Sequence, residues 1–255
     1  MRLIDSHAHV FGEFLFPRLE EITKTAKDAG VEKILAVCLD LKEAETALKY
    51  AEKDDLYDVA VGYYPNDILK FTERDFLLLE EFVKHEKIVA VGEIGLDYFS
   101  DDVPRSIQKE AFIRQMELAQ KVKKPILIHN RLAADDTLEL MKQYSKTGGI
   151  MHCYSAGYSY VKEFEKLGMY FSFSGNITFE PEDTQTQKAV REIALDRILI
   201  ETDAPNLTPV PVQDRQNEPA FVSHVARYIC EQRKIPSEVL EMAVWENYNR
   251  LFKKA

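Results

Sequence analysis

Residues 2–12 read RLIDSHAHVFG, a short apolar run that passes straight into two histidines. In an open doubly wound sheet that binds a dinucleotide, the first strand is ordinarily followed by GxGxxG, whose glycines let a pyrophosphate approach the backbone. Here SHAHVFG stands in that place. Working outward, seven more apolar, β-branched runs follow: 33–39 (KILAVCL), 58–62 (DVAVG), 87–93 (KIVAVGE), 125–129 (PILIH), 148–152 (GGIMH), 169–174 (MYFSFS) and 197–203 (RILIETD). Helix-like stretches alternate with them, such as 17–30 (PRLEEITKTAKDAG), 43–53 (EAETALKYAEK) and 106–124, which stops at Pro125. Nearly continuous apolar strands separated by helices predict a parallel sheet covered by helices. Without the glycine fingerprint, the closed form is favoured over the open one. We therefore predict a single α/β domain over 1–255, a (β/α)₈ TIM barrel with extra C-terminal helices at about 220–233 and 237–253 and one long loop at 204–219.

The composition agrees and removes alternatives. A chain of 255 residues with 45% hydrophobic and 30% charged residues is neither low-complexity nor disordered. No apolar run approaches the ~18 residues that would span a bilayer, and Asp5, His7 and His9 interrupt any signal-peptide core. Cys38, Cys153 and Cys230 are far apart and odd in number, so no disulfide framework is expected. A reducing cytoplasm is the expected home, with no membrane or protein partner implied and a monomer expected. The net charge of −10 counts against an extended basic face for duplex DNA but leaves room for a local cationic site.

The chemistry-bearing residues sit at the ends of the predicted strands. His7 and His9 follow the first, Glu93 closes the fourth, His129 the fifth, His152 the sixth and Asp203 the eighth. In a barrel all those carboxyl ends share one rim, where active sites are built, so distant positions converge. At about 32 residues per βα unit, the successive intervals His9 to Glu93, Glu93 to His129, His129 to His152 and His152 to Asp203 come near three, one, one and two units. Four imidazoles and two carboxylates suffice for a pair of divalent ions (Zn, Mn, Mg, Fe or Ni), with Glu93 as the bridge and Asp203 placed to take the proton of an attacking water. Two such ions bring four positive charges against two from Glu93 and Asp203, making the site about +2 inside an acidic shell. Strand alternation turns Cys153 away from His152. His85, His224, Trp245, Tyr248 and Phe252 read as surface or packing residues.

The ordered motifs IDSHAH (4–9), GEIGLDY (92–98), PILIHNR (125–131), GGIMHCYS (148–155), SFSGNITF (172–179), ETDAP (201–205), NEP (217–219) and ENYNRLF (246–252) span essentially the whole chain. With them the sequence resembles the TatD family of metal-dependent hydrolases. The resemblance implies an amidohydrolase-type barrel, a one- or two-metal site and phosphodiester hydrolysis, commonly as a deoxyribonuclease of 3′ to 5′ exonuclease type. Carried over by position, it implies that His7, His9 and Asp203 hold one metal and His129 and His152 the other, with Glu93 bridging. The departures from the family pattern fall beside the substrate: Leu132 replaces a common acid, Ala156 a glycine and Asn206 a frequent aromatic, while VPVQDRQ (210–216) leaves Arg215 as its one cation.

The leading expectation is a metal-dependent phosphodiesterase acting on DNA ends or short single-stranded DNA. Arg131, two residues after His129 and on its face, is the expected phosphate clamp, with Ser155, Asn176 and Arg215 as further substrate contacts. Two alternatives keep other classes open. One is a two-metal amidohydrolase for a carbonyl ester or amide, including D-aminoacyl-tRNA deacylation. The other is a non-catalytic binding protein stabilised by metal.

Overall fold

The structure, a computed structural model, describes residues 2–179 and 185–252. Eight parallel strands run in chain order around one sheet: β1 (Leu3–Ala8), β2 (Val31–Cys38), β3 (Tyr57–Val61), β4 (Ile88–Asp97), β5 (Ile126–Arg131), β6 (Gly149–Met151), β7 (Met169–Phe173) and β8 (Ile198–Ile200). Closure comes from the residues after β8. The Asp203 N–H donates to His7 O at 2.9 Å, the His9 N–H donates to Ala204 O at 2.8 Å, and Ala8 and Ala204 form a parallel bridge. The eight-stranded barrel read from the sequence is therefore present.

Around it lie α1 (Leu19–Asp28), α2 (Leu41–Ala51), α3 (Glu73–Phe82), α4 (Arg105–Val122), α5 (Ala134–Tyr144), α6 (Val161–Lys166), α7 (Gln185–Glu192), α8 (Val222–Arg233) and α9 (Ser237–Leu251). Their amphipathic spacing faces the sheet: α1 buries Leu19, Ile22 and Ala26, one stripe of a helical repeat. Local signals start the helices. Asp40 accepts the Glu43 N–H at the head of α2, and Thr72 with Asp75 forms a capping box on α3. The C-terminal helices are strapped to the barrel by buried polar groups. Asn247 Nδ2 donates to Leu195 O and Ile198 O, both at 2.8 Å, and the Tyr248 hydroxyl donates to Asp58 at 3.0 Å. Trp245 lies under Arg2, with the guanidinium 4.2 Å from the ring centroid. None of the helices among the described residues is long and apolar enough to cross a membrane.

Strand lengths differ from the sequence reading in an informative way. β4 runs on to Asp97, four residues beyond its expected end, whereas β8 stops at Ile200, three short of it. The extension of β4 depends on Gly95, at φ +145°, where a Cβ would come within 1.9 Å of His129 O. Only glycine lets β4 and β5 stay paired through Gly95 and His129. The expected last helix reaches 253, a residue outside those described; α9 ends at Leu251.

Candidate active site

At the carboxyl ends of the strands the six expected residues meet around Glu93, which is buried within β4. Its two oxygens face different partners. Oε2 lies 3.4 Å from His7 Nε2 and 3.6 Å from His9 Nε2, while Asp203 Oδ1 stands 3.6 Å from both of those nitrogens. Oε1 lies 2.8 Å from His129 Nδ1 and 3.1 Å from His152 Nε2. Three overlapping donor clusters result: His7, His9, Glu93; His7, His152, Asp203; and Glu93, His129, His152, each with its ligand atoms within 4.8 Å of one another.

The nitrogens facing Glu93 are the ones each ring can offer to a metal, because the opposite ring nitrogens of His9, His129 and His152 are committed elsewhere. His9 Nδ1 donates to Val37 O at 3.1 Å, His129 Nε2 to Asp97 Oδ2 at 3.0 Å, and His152 Nδ1 to Glu201 Oε1 at 3.2 Å. A histidine fixed in this way presents one tautomer and a more basic second nitrogen, the arrangement that suits a metal. His7 differs: its buried Nδ1 has no hydrogen-bond partner among the described residues, and its ring stacks on His152 at 3.9 Å. Taken together, the donor set is chemically fitted to divalent ions.

Charge is distributed accordingly. Burial opposes ionisation of Glu93, but His152, His129 and His7 outweigh it and hold the carboxyl well below its usual range. Asp203 is lowered in the same way, against burial, by His9, His152 and His7. Asp97 is pulled down to about 2, again against burial, by His129, the Phe99 amide and the Tyr64 hydroxyl. All three are carboxylates at neutral pH. Burial pushes Cys153 up to about 12, so its thiol stays protonated, and none of the donor clusters includes it.

His9, Glu93, His129, His152 and Asp203 line a 1390 Å³ cavity that Arg131, Ser155 and Asn176 also line. Arg131 stacks over Phe99, 3.7 Å from the ring centroid, and no carboxylate pairs with it among the described residues. Arg215 lies outside this cavity. Its guanidinium sits over Phe221 at 4.5 Å and 4.0 Å from Glu218, because the turn from Val212 to Arg215 directs it toward the following segment. Cys153 departs from its expected direction as well. β6 ends at Met151, Cys153 takes a left-handed φ of 42°, and the side chain lines the cavity, with Sγ 3.0 Å from Ser174 Oγ. Strand alternation applies only while the strand lasts.

Other parts of the site escaped the sequence reading. Asp97 stands four residues after Glu93, on the same face of a strand, and that parity within GEIGLDY was an available signal. Glu201 accepts the Cys153 N–H as well as the His152 N–H. Tyr64, three residues beyond β3, donates to Asp97 at 3.1 Å and had no motif to mark it. Asp5 accepts the Thr202 N–H at 2.9 Å and the Thr202 hydroxyl at 2.6 Å, fixing the segment that carries Asp203.

The family profile described as TatD related DNase matches residues 4–253. The chain belongs to the TatD family. Among TatD relatives, it is 40% identical to the uncharacterized metal-dependent hydrolase YabD of Bacillus subtilis over 253 residues, covering 98% of this chain and 99% of that one. It is 33% identical to the uncharacterized metal-dependent hydrolase YcfH of Escherichia coli K12, covering 99% and 96%. The crystal structure of the TatD homolog YjjV from Escherichia coli superposes with a TM-score of 0.92 at 28% identity, covering 100% of this chain and 99% of that one. This TatD protein is thus a metal-dependent hydrolase with a (β/α)₈ fold and His, Asp and Glu clusters suited to metal.

Proposed function

We propose that the protein is a divalent-metal-dependent phosphodiesterase acting on DNA ends or short single strands, of the 3′ to 5′ exonuclease type. The observation that carries this reading is the two-sided Glu93, one oxygen toward His7, His9 and Asp203 and the other toward His129 and His152. His7, His9 and Asp203 would hold one ion and His129 and His152 a second, with Glu93 shared. Divalent ions bound there supply Lewis acidity, making water a nucleophile at neutral pH and offsetting charge on phosphoryl oxygens.

The chain's own groups perform the remaining tasks. Asp203 is ionised, partly open to the cavity and the strongest candidate to accept the attacking water's proton. Asp97 and Glu201 keep His129 and His152 in one tautomer and one orientation. Arg131, free of carboxylate partners among the described residues, clamps a substrate phosphate through its planar fork. Ser155 and Asn176 orient the same backbone from the neighbouring loops. The unpaired guanidinium favours phosphate over a neutral carbonyl substrate, because an ester or amide would leave that charge without a counterpart.

The test is hydrolysis of end-labelled single-stranded DNA by metal-loaded protein, compared with a panel of carboxylic esters, amides and D-aminoacyl-tRNA. Shortening from the 3′ end that stops with chelator and falls steeply in Asp203→Asn is the expected result. Faster turnover of the carbonyl panel, or equal nuclease activity after chelation, would overturn it.

A further inference from the structure

The two wings of the cavity differ in chemistry. The wing built by the end of β5 and the loops after β6 and β7 presents Asn130, Arg131, Ser155 and Asn176, and among the described residues it contributes no carboxylate to the lining. The opposite wing, from the loops after β1, β2 and β3, presents the aromatic side chains of Phe11, Phe14, Phe16, Tyr64 and Phe71 among the carboxylates Glu13, Asp40, Glu43 and Asp67. Its lysines are Lys42 and Lys70, and Lys70 is already paired with Asp67 at 2.7 Å. A phosphate entering this wing would meet net negative charge. A flat, uncharged ring carrying N–H donors would meet aromatic faces and acceptors.

Phe14 is the exposed face of that wing. Its neighbours are engaged: Phe11 packs on Tyr57 at 5.4 Å and on Tyr50 at 5.5 Å, and Phe16 leans on Phe11 and Tyr50 at 6.2 Å. Phe14 has no ring partner among the described residues and is 65% exposed. It is nevertheless held firmly. Leu15 beside it is fully buried, and the loop is closed on itself by Gly12 N–H to His9 O, Leu15 N–H to Gly12 O and Phe16 N–H to Gly12 O. The same loop begins at His9, so the ring is carried on the backbone that positions a donor of the active site.

We propose that this aromatic, acidic wing is the subsite for the terminal nucleobase of a single-stranded substrate, with Phe14 as its stacking platform. The inference rests on the phosphodiesterase reading and adds the direction in which the strand lies. The last base stacks on Phe14, with Glu13 and Glu43 as acceptors for its N–H groups. The scissile phosphate sits over the donor cluster, and the remaining phosphates run toward Arg131. Because the wing repels a further phosphate, it admits an end and rejects the interior of a strand. That selects exonucleolytic cutting by charge rather than by a blocked passage.

The test compares two labelled oligonucleotides, one ending in a normal nucleoside and one in an abasic residue, with wild type, Phe14→Ala and Phe14→Trp. Wild type is expected to favour the base-bearing end in kcat/KM by roughly 5- to 150-fold, the range of base–aromatic stacking. Phe14→Ala should bring the two substrates to parity, and Phe14→Trp should restore the preference. In Phe14→Trp, a nucleoside monophosphate should also quench the fluorescence that the new ring adds to that of Trp245, while wild type, with Trp245 alone, should show no such quenching. No preference in wild type, or equal loss on both substrates in Phe14→Ala, overturns the subsite while leaving the phosphodiesterase reading in place. Failure of wild type to cut either oligonucleotide overturns that reading, and the subsite with it.

Discussion

The two sides of Glu93 use similar ligand types but are held by different means. On the Oε1 side, His129 and His152 are each backed by a carboxylate, Asp97 and Glu201. On the Oε2 side, His9 is backed by the neutral Val37 carbonyl, His7 has no partner at Nδ1 among the described residues, and Asp203 hangs on a backbone turn with φ 57°. A carboxylate behind an imidazole raises its basicity and locks its plane, whereas a carbonyl mainly fixes the tautomer. The Oε1 side is therefore an electrostatically built half-site and the Oε2 side a conformationally built one. The first should depend on individual charges, the second on the chain path between β8 and β1.

The largest expected effect removes what the halves share. In Glu93→Gln, metal content measured by elemental analysis should fall, and hydrolytic activity should drop by about three orders of magnitude. Retention of full metal content would end the description of Glu93 as a bridge. Next in size is Asp97→Asn, which withdraws one backing charge. Calorimetric metal titration should show one of two binding steps weakened by roughly 10- to 100-fold, with the other step unmoved. Equal weakening of both steps would erase the distinction between the halves.

The conformational half is probed by Thr202→Val. That change removes the hydroxyl that donates to Asp5 and accepts the Ala204 N–H, leaving buried groups unmatched. Urea unfolding should show a loss of about 1–3 kcal/mol, while the affinity of the carboxylate-backed step stays the same. An unchanged stability would mean that another contact holds the β8–β1 closure.

The smallest effect is a pH slope. In metal-free protein, burial opposes charge on His9, His129 and His152, yet Asp203, Asp97, Glu93 and Glu201 outweigh it and raise all three pKa values. Groups raised in this way stabilise the fold fully below the ordinary histidine value of 6.5, and that contribution is lost as pH rises through their folded values. Metal-loaded protein needs neutral imidazoles, so its stability should change in the opposite sense, rising with pH over the same range. Thermal unfolding of both forms from about pH 6 to 8 checks this. Parallel slopes would mean that the histidines are not the groups exchanging protons for metal.

The contrast also separates what was legible in the chain from what was not. The carboxylate-backed half lies largely within regular strands. Glu93, Asp97 and His129 occupy β4 and β5, where period-two alternation fixes direction, and His129 was identified from the end of its apolar run. Asp97 was readable on the same rule. The conformational half is different because β8 ends at Ile200, and from there Asp203 is aimed by its own left-handed backbone and by the Asp5–Thr202 contacts across 197 positions. Cys153 lines the cavity for the same reason, since β6 ends at Met151. Once a strand stops, local periodicity no longer says where a side chain points, and partners distant in sequence decide.

The sequence by itself determined the alternation of strands and helices, and through it the number of strands and the shared rim on which six ligand-type residues fall. These follow from short-range physics: apolar periodicity, helix caps, and the rule that parallel strands need helical crossovers. Only the tertiary structure decided which oxygen of Glu93 faces which histidines, which nitrogen each imidazole presents, and which cavity wing is cationic and which aromatic. Those depend on contacts between residues far apart in the chain, whose energies exist only after the barrel has closed and excluded water from its rim.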